Sequence, residues 1–206
     1  VNSKVYPVIH AQEGRQVQRN IDIAIDAGVA GVFLINHDIS MAQLRILLSR
    51  ARIQYPDLWI GVNYLGAAEQ NLPDLTQPAC GLWMDGVPTV KLPLSIPVLG
   101  GVGFKYQYTG LTIEEEVARA LPLVDVLVTS GSGTGYAAEP NKVAYIKSLA
   151  PDTPLGLASG LTPENVGSYL PFVDWLLVAT GVGRDFYNLC PDKLGDFVAA
   201  VKSQQP

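Results

Sequence analysis

Five polar residues stand where short apolar runs end: His10, Asn36, Asn63, Asp85 and Lys105. Histidine titrates near neutral pH, so His10, one of only two histidines, suits a general acid or base. Asp85 follows Leu82-Trp83-Met84. A carboxylate in apolar surroundings is driven toward its neutral form, which suits a base. Lys105 lies between Phe104 and Tyr106. A partly desolvated lysine there could form a Schiff base or hold a carboxylate or phosphate. Asn36 and Asn63 could orient a hydroxyl or carbonyl. Each residue also has a structural alternative. His10 could be satisfied by backbone at a loop start, Asp85 could cap the turn before Gly86, and Lys105 could reach from a rim into water. His37, beside Asp38, reads equally as a solvated turn residue. His10, His37 and Asp85 could converge on a metal, but no short ligand motif supports one. No metal or cofactor is therefore expected. Nothing supports a Ser-His-Asp triad.

Three glycine-rich stretches complete the chemical inventory: Ser130-Gly131-Ser132-Gly133-Thr134-Gly135, Ala158-Ser159-Gly160-Leu161-Thr162 and Ala179-Thr180-Gly181-Val182-Gly183-Arg184. Glycine lets main-chain N–H groups converge on an anion without Cβ obstruction. Ser159, Gly160, Thr162, Thr180, Gly181 and Gly183 are read as phosphate-binding, with Arg184 as added charge. Ser132, Gly133, Thr134 and Gly135 are read as a loop that clamps a ligand. A helix is expected directly after each of the last two stretches, which would aim its dipole at the same spot. The plainer alternative is that these glycines only make turns.

The elements that must position these groups alternate. Strands are expected at Val5–Ile9, Gly31–Ile35, Leu58–Val62, Gly81–Met84, Val98–Phe104, Val124–Thr129, Pro154–Ala158 and Trp175–Ala179. Helices are expected at Val17–Ala27, Met41–Ile53 after a Ser40 cap, Ala67–Leu75, Thr112 to about Leu121 from a capping box, Asn141–Leu149 and Asp192–Val201. Thr162-Pro163 reads as another helix entrance. Gly86–Ile96 holds Pro88 and Pro93, so the fourth crossover should be a loop or one turn. Eight apolar strands, most followed by a helix, predict a single small α/β domain over 1–206: a (β/α)8 TIM-type barrel with a reduced fourth helix. The alternative, an open dinucleotide-binding sheet, lacks its glycine fingerprint, because His10-Ala11-Gln12-Glu13-Gly14 follows the first strand. In such barrels the strand C-terminal ends carry the functional face, and phosphate often sits between the last two loops.

Composition narrows the partners. The chain has 206 residues and a net charge of −5, with no long Lys/Arg run. A phosphodiester backbone or anionic membrane needs clustered cations, so nucleic acid and membrane surface are disfavoured. No apolar run approaches a membrane span of about 18 residues, and Val1-Asn2-Ser3-Lys4 does not read as a signal peptide. Cys80 and Cys190 lack metal-ligand spacing and read as two buried thiols of a cytoplasmic protein. Small barrels often associate, so a homo-oligomer is an expectation from fold analogy.

The chain resembles the BtpA-like branch of the phosphate-binding TIM barrels. The matching pieces are Pro7-Val8-Ile9-His10, Gly28-Val29-Ala30-Gly31-Val32, Gly61-Val62-Asn63, Val128 through Gly135, and Ser159-Gly160-Leu161-Thr162-Pro163-Glu164-Asn165. The resemblance implies the barrel and a phosphate site in the last two loops. It supplies no reaction; members have been linked to photosystem I biogenesis. This chain departs from the pattern in its short Pro88–Pro97 segment and in Gly100-Gly101, where acidic residues are expected. The expected function is binding of a phosphorylated, sugar- or nucleotide-like metabolite at the C-terminal barrel face. General acid/base transformation of isomerase, lyase or transferase type would follow. The alternative is a non-catalytic assembly or stability factor that keeps the phosphate site.

Overall fold

The computed structural model describes residues 3–204. Val1 and Asn2 of the N-terminal segment considered above lie outside the described residues. Eight parallel strands close into a barrel in sequence order: β1 (Lys4–His10), β2 (Val32–Ile35), β3 (Ile60–Asn63), β4 (Gly81–Met84), β5 (Val98–Gly101), β6 (Val126–Ser130), β7 (Leu155–Ala158) and β8 (Trp175–Val178). Closure is direct, with Val5 opposite Leu176 and Pro7 opposite Val178. Nearly every strand residue is buried, as a sheet covered on both faces requires.

The crossovers carry α1 (Gly14–Asp26), α2 (Met41–Gln54), α3 (Leu72–Leu75), α4 (Ile113–Ala120), α5 (Pro140–Leu149) and α6 (Pro191–Ser203). Two starts follow the expected chemistry. Ser40 with Gln43, and Thr112 with Glu115, each form a complete capping box. No helix lies between β4 and β5, where the prolines forbid one.

Four expectations are corrected. Thr162-Pro163 opens no α-helix; the crossover from β7 to β8 holds one 3₁₀ turn, Val166–Ser168. Asn165 explains this: its Oδ1 accepts from Thr162 N at 2.9 Å and its Nδ2 donates to the Gly160 carbonyl at 2.8 Å, closing a local turn. Gly167 and Pro171 leave no room for a longer helix. After β8, likewise, a 3₁₀ turn (Thr180–Val182) and a bridge from Gly183 to Leu189 precede α6. The dipole expected behind each loop is therefore absent. The fifth strand ends at Gly101, because Gly103 takes φ +51° and turns the chain, which leaves Lys105 on a loop. Cys80 and Cys190 are free but only half-buried. No described helix is long and apolar enough to cross a membrane.

Side chains of period two fill the barrel. Tyr6, Val8, Phe33, Ile35, Trp83, Leu99, Val126, Val128, Ala158 and Leu177 form its inner cluster, with Trp59 and Trp175 packed against it. Tyr6 stacks on Trp175 with ring centroids 4.5 Å apart and meets Trp59 edge-on at 5.1 Å. This bulk requires glycine opposite: a Cβ on Gly61 would lie 2.4 Å from the Phe33 ring, and one on Gly81 2.6 Å from Trp59. The same alternation, carried two residues further, turns His10 (after Tyr6 and Val8) and Asp85 (after Trp83) toward the C-terminal mouth.

Candidate active site

A cavity of about 240 Å³ opens at that mouth. His10, His37, Asp85, Lys105, Tyr106, Thr134, Ser159 and Thr180 line it with polar groups; Val8, Ile35, Trp83 and Leu177 are among its apolar walls. Phe186 covers the histidine side. Its ring centroid lies 3.9 Å from that of His10 and 5.2 Å from that of His37, while the two imidazoles are 4.8 Å apart.

Burial sets the protonation states. The His10 pKa is pushed down to about 4, first by desolvation and next by the neighbouring His37; the Phe186 main chain and the Asp38 carboxylate pull the other way. His37 is lowered too, again chiefly by burial. Both imidazoles are therefore neutral at pH 7. Burial raises the Asp85 pKa, against the hydrogen bond from Asn63 and the charges of Lys105 and His37. Desolvation lowers Lys105, with Asp85 opposing it. Acid and amine are thus both drawn toward their neutral forms in one apolar cavity.

Each expected site residue has a definite place. Asn63 Nδ2 donates to Asp85 Oδ1 at 2.9 Å, so Asn63 orients the carboxylate; it faces a neighbouring cavity. Asn36 Oδ1 accepts from Leu65 N at 2.8 Å, which ties its side chain to the loop after β3 and outside the mouth cavity. Lys105 Nζ donates to Ser159 Oγ at 2.7 Å and Thr134 Oγ1 at 3.3 Å. Its main-chain N–H is held by Ser130 Oγ at 2.8 Å. Ser159, Thr180, Thr134 and Gly135 line the cavity; Gly160, Thr162, Gly181, Gly183, Ser132 and Gly133 do not. Thr162 N is taken by Asn165, the Gly183 N–H points to Thr180 O at 3.4 Å, and Arg184 is exposed outside the cavity.

The glycines bring loops against one another. A Cβ on Gly160 would lie 2.1 Å from Ala137 N and one on Gly181 2.0 Å from Leu161 O, while one on Gly131 would lie 2.0 Å from Tyr136 O of its own loop. The space that a side chain would fill is thus occupied by the protein's own backbone, and the loops after β6, β7 and β8 pack together in series. The N–H groups of Gly160 and Gly181 nevertheless make no hydrogen bond among the described residues.

Sequence reasoning missed two residues at the rim. Tyr106 accepts a hydrogen bond from Thr134 N at 3.2 Å, linking the loops after β5 and β6. Phe186 lies in an irregular loop, where no periodicity reveals which way a side chain turns. Among the described residues, Tyr106 (φ +62°) and Ser159 (φ +71°) are the two non-glycine residues in left-handed backbone, and both line the cavity. No sequence pattern displays such backbone conformations at a mouth. Among the described residues no three His, Cys, Asp or Glu side chains gather as metal ligands. Lys105 is the lysine that lines this cavity.

No protein-family model matches the chain, and no curated protein does. Solved structures match its shape. Phosphoribosyl anthranilate isomerase from Thermus thermophilus is 15% identical with a TM-score of 0.74, over 98% of this chain and 100% of that one. A structure described as native KDPGal is 13% identical with a TM-score of 0.76, over 97% and 95%. A phosphoribosyl anthranilate isomerase in complex with reduced 1-(o-carboxyphenylamino)-1-deoxyribulose 5-phosphate is 15% identical with a TM-score of 0.71, over 98% and 99%. At these identities the likeness establishes one thing: the chain folds as a (β/α)8 barrel.

Proposed function

We propose that the chain is an enzyme that binds a phosphorylated small metabolite at the barrel mouth and transforms it by general acid/base chemistry of isomerase or lyase type. The observation that carries this reading is the gathering of Asp85, His10 and Lys105 in one mostly apolar cavity, beside the hydroxyls of Ser159 and Thr180. An anion held at Ser159 and Thr180 would fix one end of a ligand, with the unpaired N–H groups of Gly160 and Gly181 next in the chain though outside the cavity lining. The reacting end would then face Asp85, oriented by Asn63, and the neutral imidazole of His10. A barrel of this shape crystallised with a deoxyribulose 5-phosphate derivative supports the choice of ligand class. The resemblance to the BtpA-like family, which implies a phosphate site in the same two loops, points the same way.

The test is a thermal-shift screen with inorganic phosphate, glycerol 3-phosphate and a panel of sugar phosphates. Sugar phosphates are expected to stabilise the protein, and Ser159→Ala or Thr180→Val to weaken binding by about tenfold each, the loss of one hydrogen bond to a charged group. Asp85→Asn should leave that binding intact and lower turnover of the stabilising ligand by about 100-fold or more. Absence of stabilisation by every phosphorylated compound at millimolar concentration would remove the reading.

A further inference from the structure

Lys105 and Lys142 are both half-buried lysines near the mouth, and they are held by different kinds of partner. Lys142 Nζ donates to the main-chain carbonyls of Gly103 and Ser130; burial lowers its pKa, as it does that of Lys105, with the Glu116 carboxylate opposing. It is a buried cation satisfied by acceptors, with a structural task. Lys105 Nζ meets two hydroxyls, Ser159 Oγ and Thr134 Oγ1, and forms no ion pair among the described residues. Hydroxyls can donate as well as accept, so this environment suits a neutral amine as well as an ammonium. A lysine meant to clamp an anion gains from keeping its charge; one placed on an apolar cavity with hydroxyl neighbours loses it easily.

We propose that Lys105 is a nucleophile that condenses with an aldehyde or ketone carbonyl of the bound substrate. The proposal rests on reading the mouth as an active site, and it narrows the substrate class to carbonyl compounds. The lone pair of Nζ forms the N–C bond as the carbonyl π pair moves to oxygen. One proton leaves nitrogen and one reaches that oxygen, giving a neutral carbinolamine. A second proton on the hydroxyl lets the C–O bond break; water leaves, and the nitrogen lone pair closes the C=N bond of an iminium. Carbonyl, amine and one proton thus become iminium and water. Asp85 lines the same cavity and interacts with Lys105 electrostatically, and its burial raises its pKa, so it can carry the proton between these steps. The other titratable groups around the amine are His10 and His37, neutral at pH 7, and the Tyr106 phenol. Ser159 Oγ, 2.7 Å from Nζ, holds the amine in place.

The experiment incubates the full chain at neutral pH with dihydroxyacetone phosphate or with glyoxylate, adds cyanoborohydride, and reads intact mass followed by peptide mapping. The expected product carries one probe less one oxygen, at Lys105, with the other lysines at background, since burial lowers the Lys105 pKa and its hydroxyl neighbours leave the amine free to lose its proton, whereas Lys142 is held by two carbonyl acceptors. Lys105→Arg, which keeps the charge and bulk, should abolish it, while Lys142 serves as an unlabelled reference in the same digest. Labelling distributed among the exposed lysines, or unchanged in Lys105→Arg, overturns the proposal. Stabilisation by phosphorylated ligands without any adduct also overturns it and leaves the proposed function standing. An adduct with glyoxylate in a protein that no phosphate compound stabilises supports the nucleophile and removes the phosphate reading.

Discussion

At the residue scale, the mouth is governed by desolvation. His10 is nearly fully buried at the end of β1, between His37 and Phe186, and its pKa falls to about 4. An unfolded chain would protonate it near pH 6.5, so between about pH 6.5 and 4 the unfolded state binds more protons. The contribution to stability is therefore full above pH 6.5 and is lost as the pH falls toward 4, to an upper bound of about 3 kcal/mol. His10→Gln should flatten the pH dependence of denaturant midpoints over that window; an unchanged slope would show that the imidazole is not held neutral. His10 and Asp85 could be seen in the sequence because each closes an apolar run that forms a barrel strand; Lys105 reaches the mouth from a loop beyond β5 and not from a strand end. Their partners could not be seen. Nothing in Asn36 or Asn63 tells that one braces a loop while the other orients a carboxylate, since both follow strands in the same way.

At the scale of elements, the loops after β6, β7 and β8 form one interlocked rim. Ser159 is held at φ +71° beside Gly160 at φ +65°, so the chain turns left-handed twice in succession. Ser159→Gly should raise stability by about 0.5–1 kcal/mol by relieving the backbone, while removing the acceptor next to Lys105. A higher melting temperature together with weaker Lys105 labelling is the expected pair of results. Gly160→Ala acts oppositely. Its Cβ would meet Ala137 N at 2.1 Å, backbone that cannot rotate aside, and the cost should exceed about 2 kcal/mol in chemical denaturation. A neutral Gly160→Ala would mean that the rim is looser than the close approach implies. The sequence displays these glycines but not what replaces their side chains. A ligand and a neighbouring loop demand the same absence of Cβ, and only the folded chain distinguishes them. The helix expected behind the loop after β7 fails for a local reason, as Asn165 closes a turn before one can start; behind the loop after β8 a 3₁₀ turn and the Gly183–Leu189 bridge take its place.

At the scale of the whole molecule, the two ends of the barrel divide the work. The strands were legible because a parallel sheet buried on both faces demands continuous apolar runs, and eight of them with short crossovers can close. The filling of the barrel was not legible, because inward and outward residues of such a strand are equally apolar. Trp59, Trp175, Tyr6 and Phe33 pack below the catalytic candidates, and Gly61 and Gly81 make way for them. This cluster excludes water from beneath the mouth without touching its polar groups; of the four, none lines the cavity. Trp59 is half-buried, so Trp59→Ala should cost about 2–3 kcal/mol of stability, below the range of about 3–5 kcal/mol for a fully buried aromatic side chain. In the fraction that remains folded, reductive labelling of Lys105 should match that of the unaltered protein. Loss of labelling in step with stability would show that the mouth is not positioned by its loops, and that the aromatic cluster shapes the site as well as supporting it.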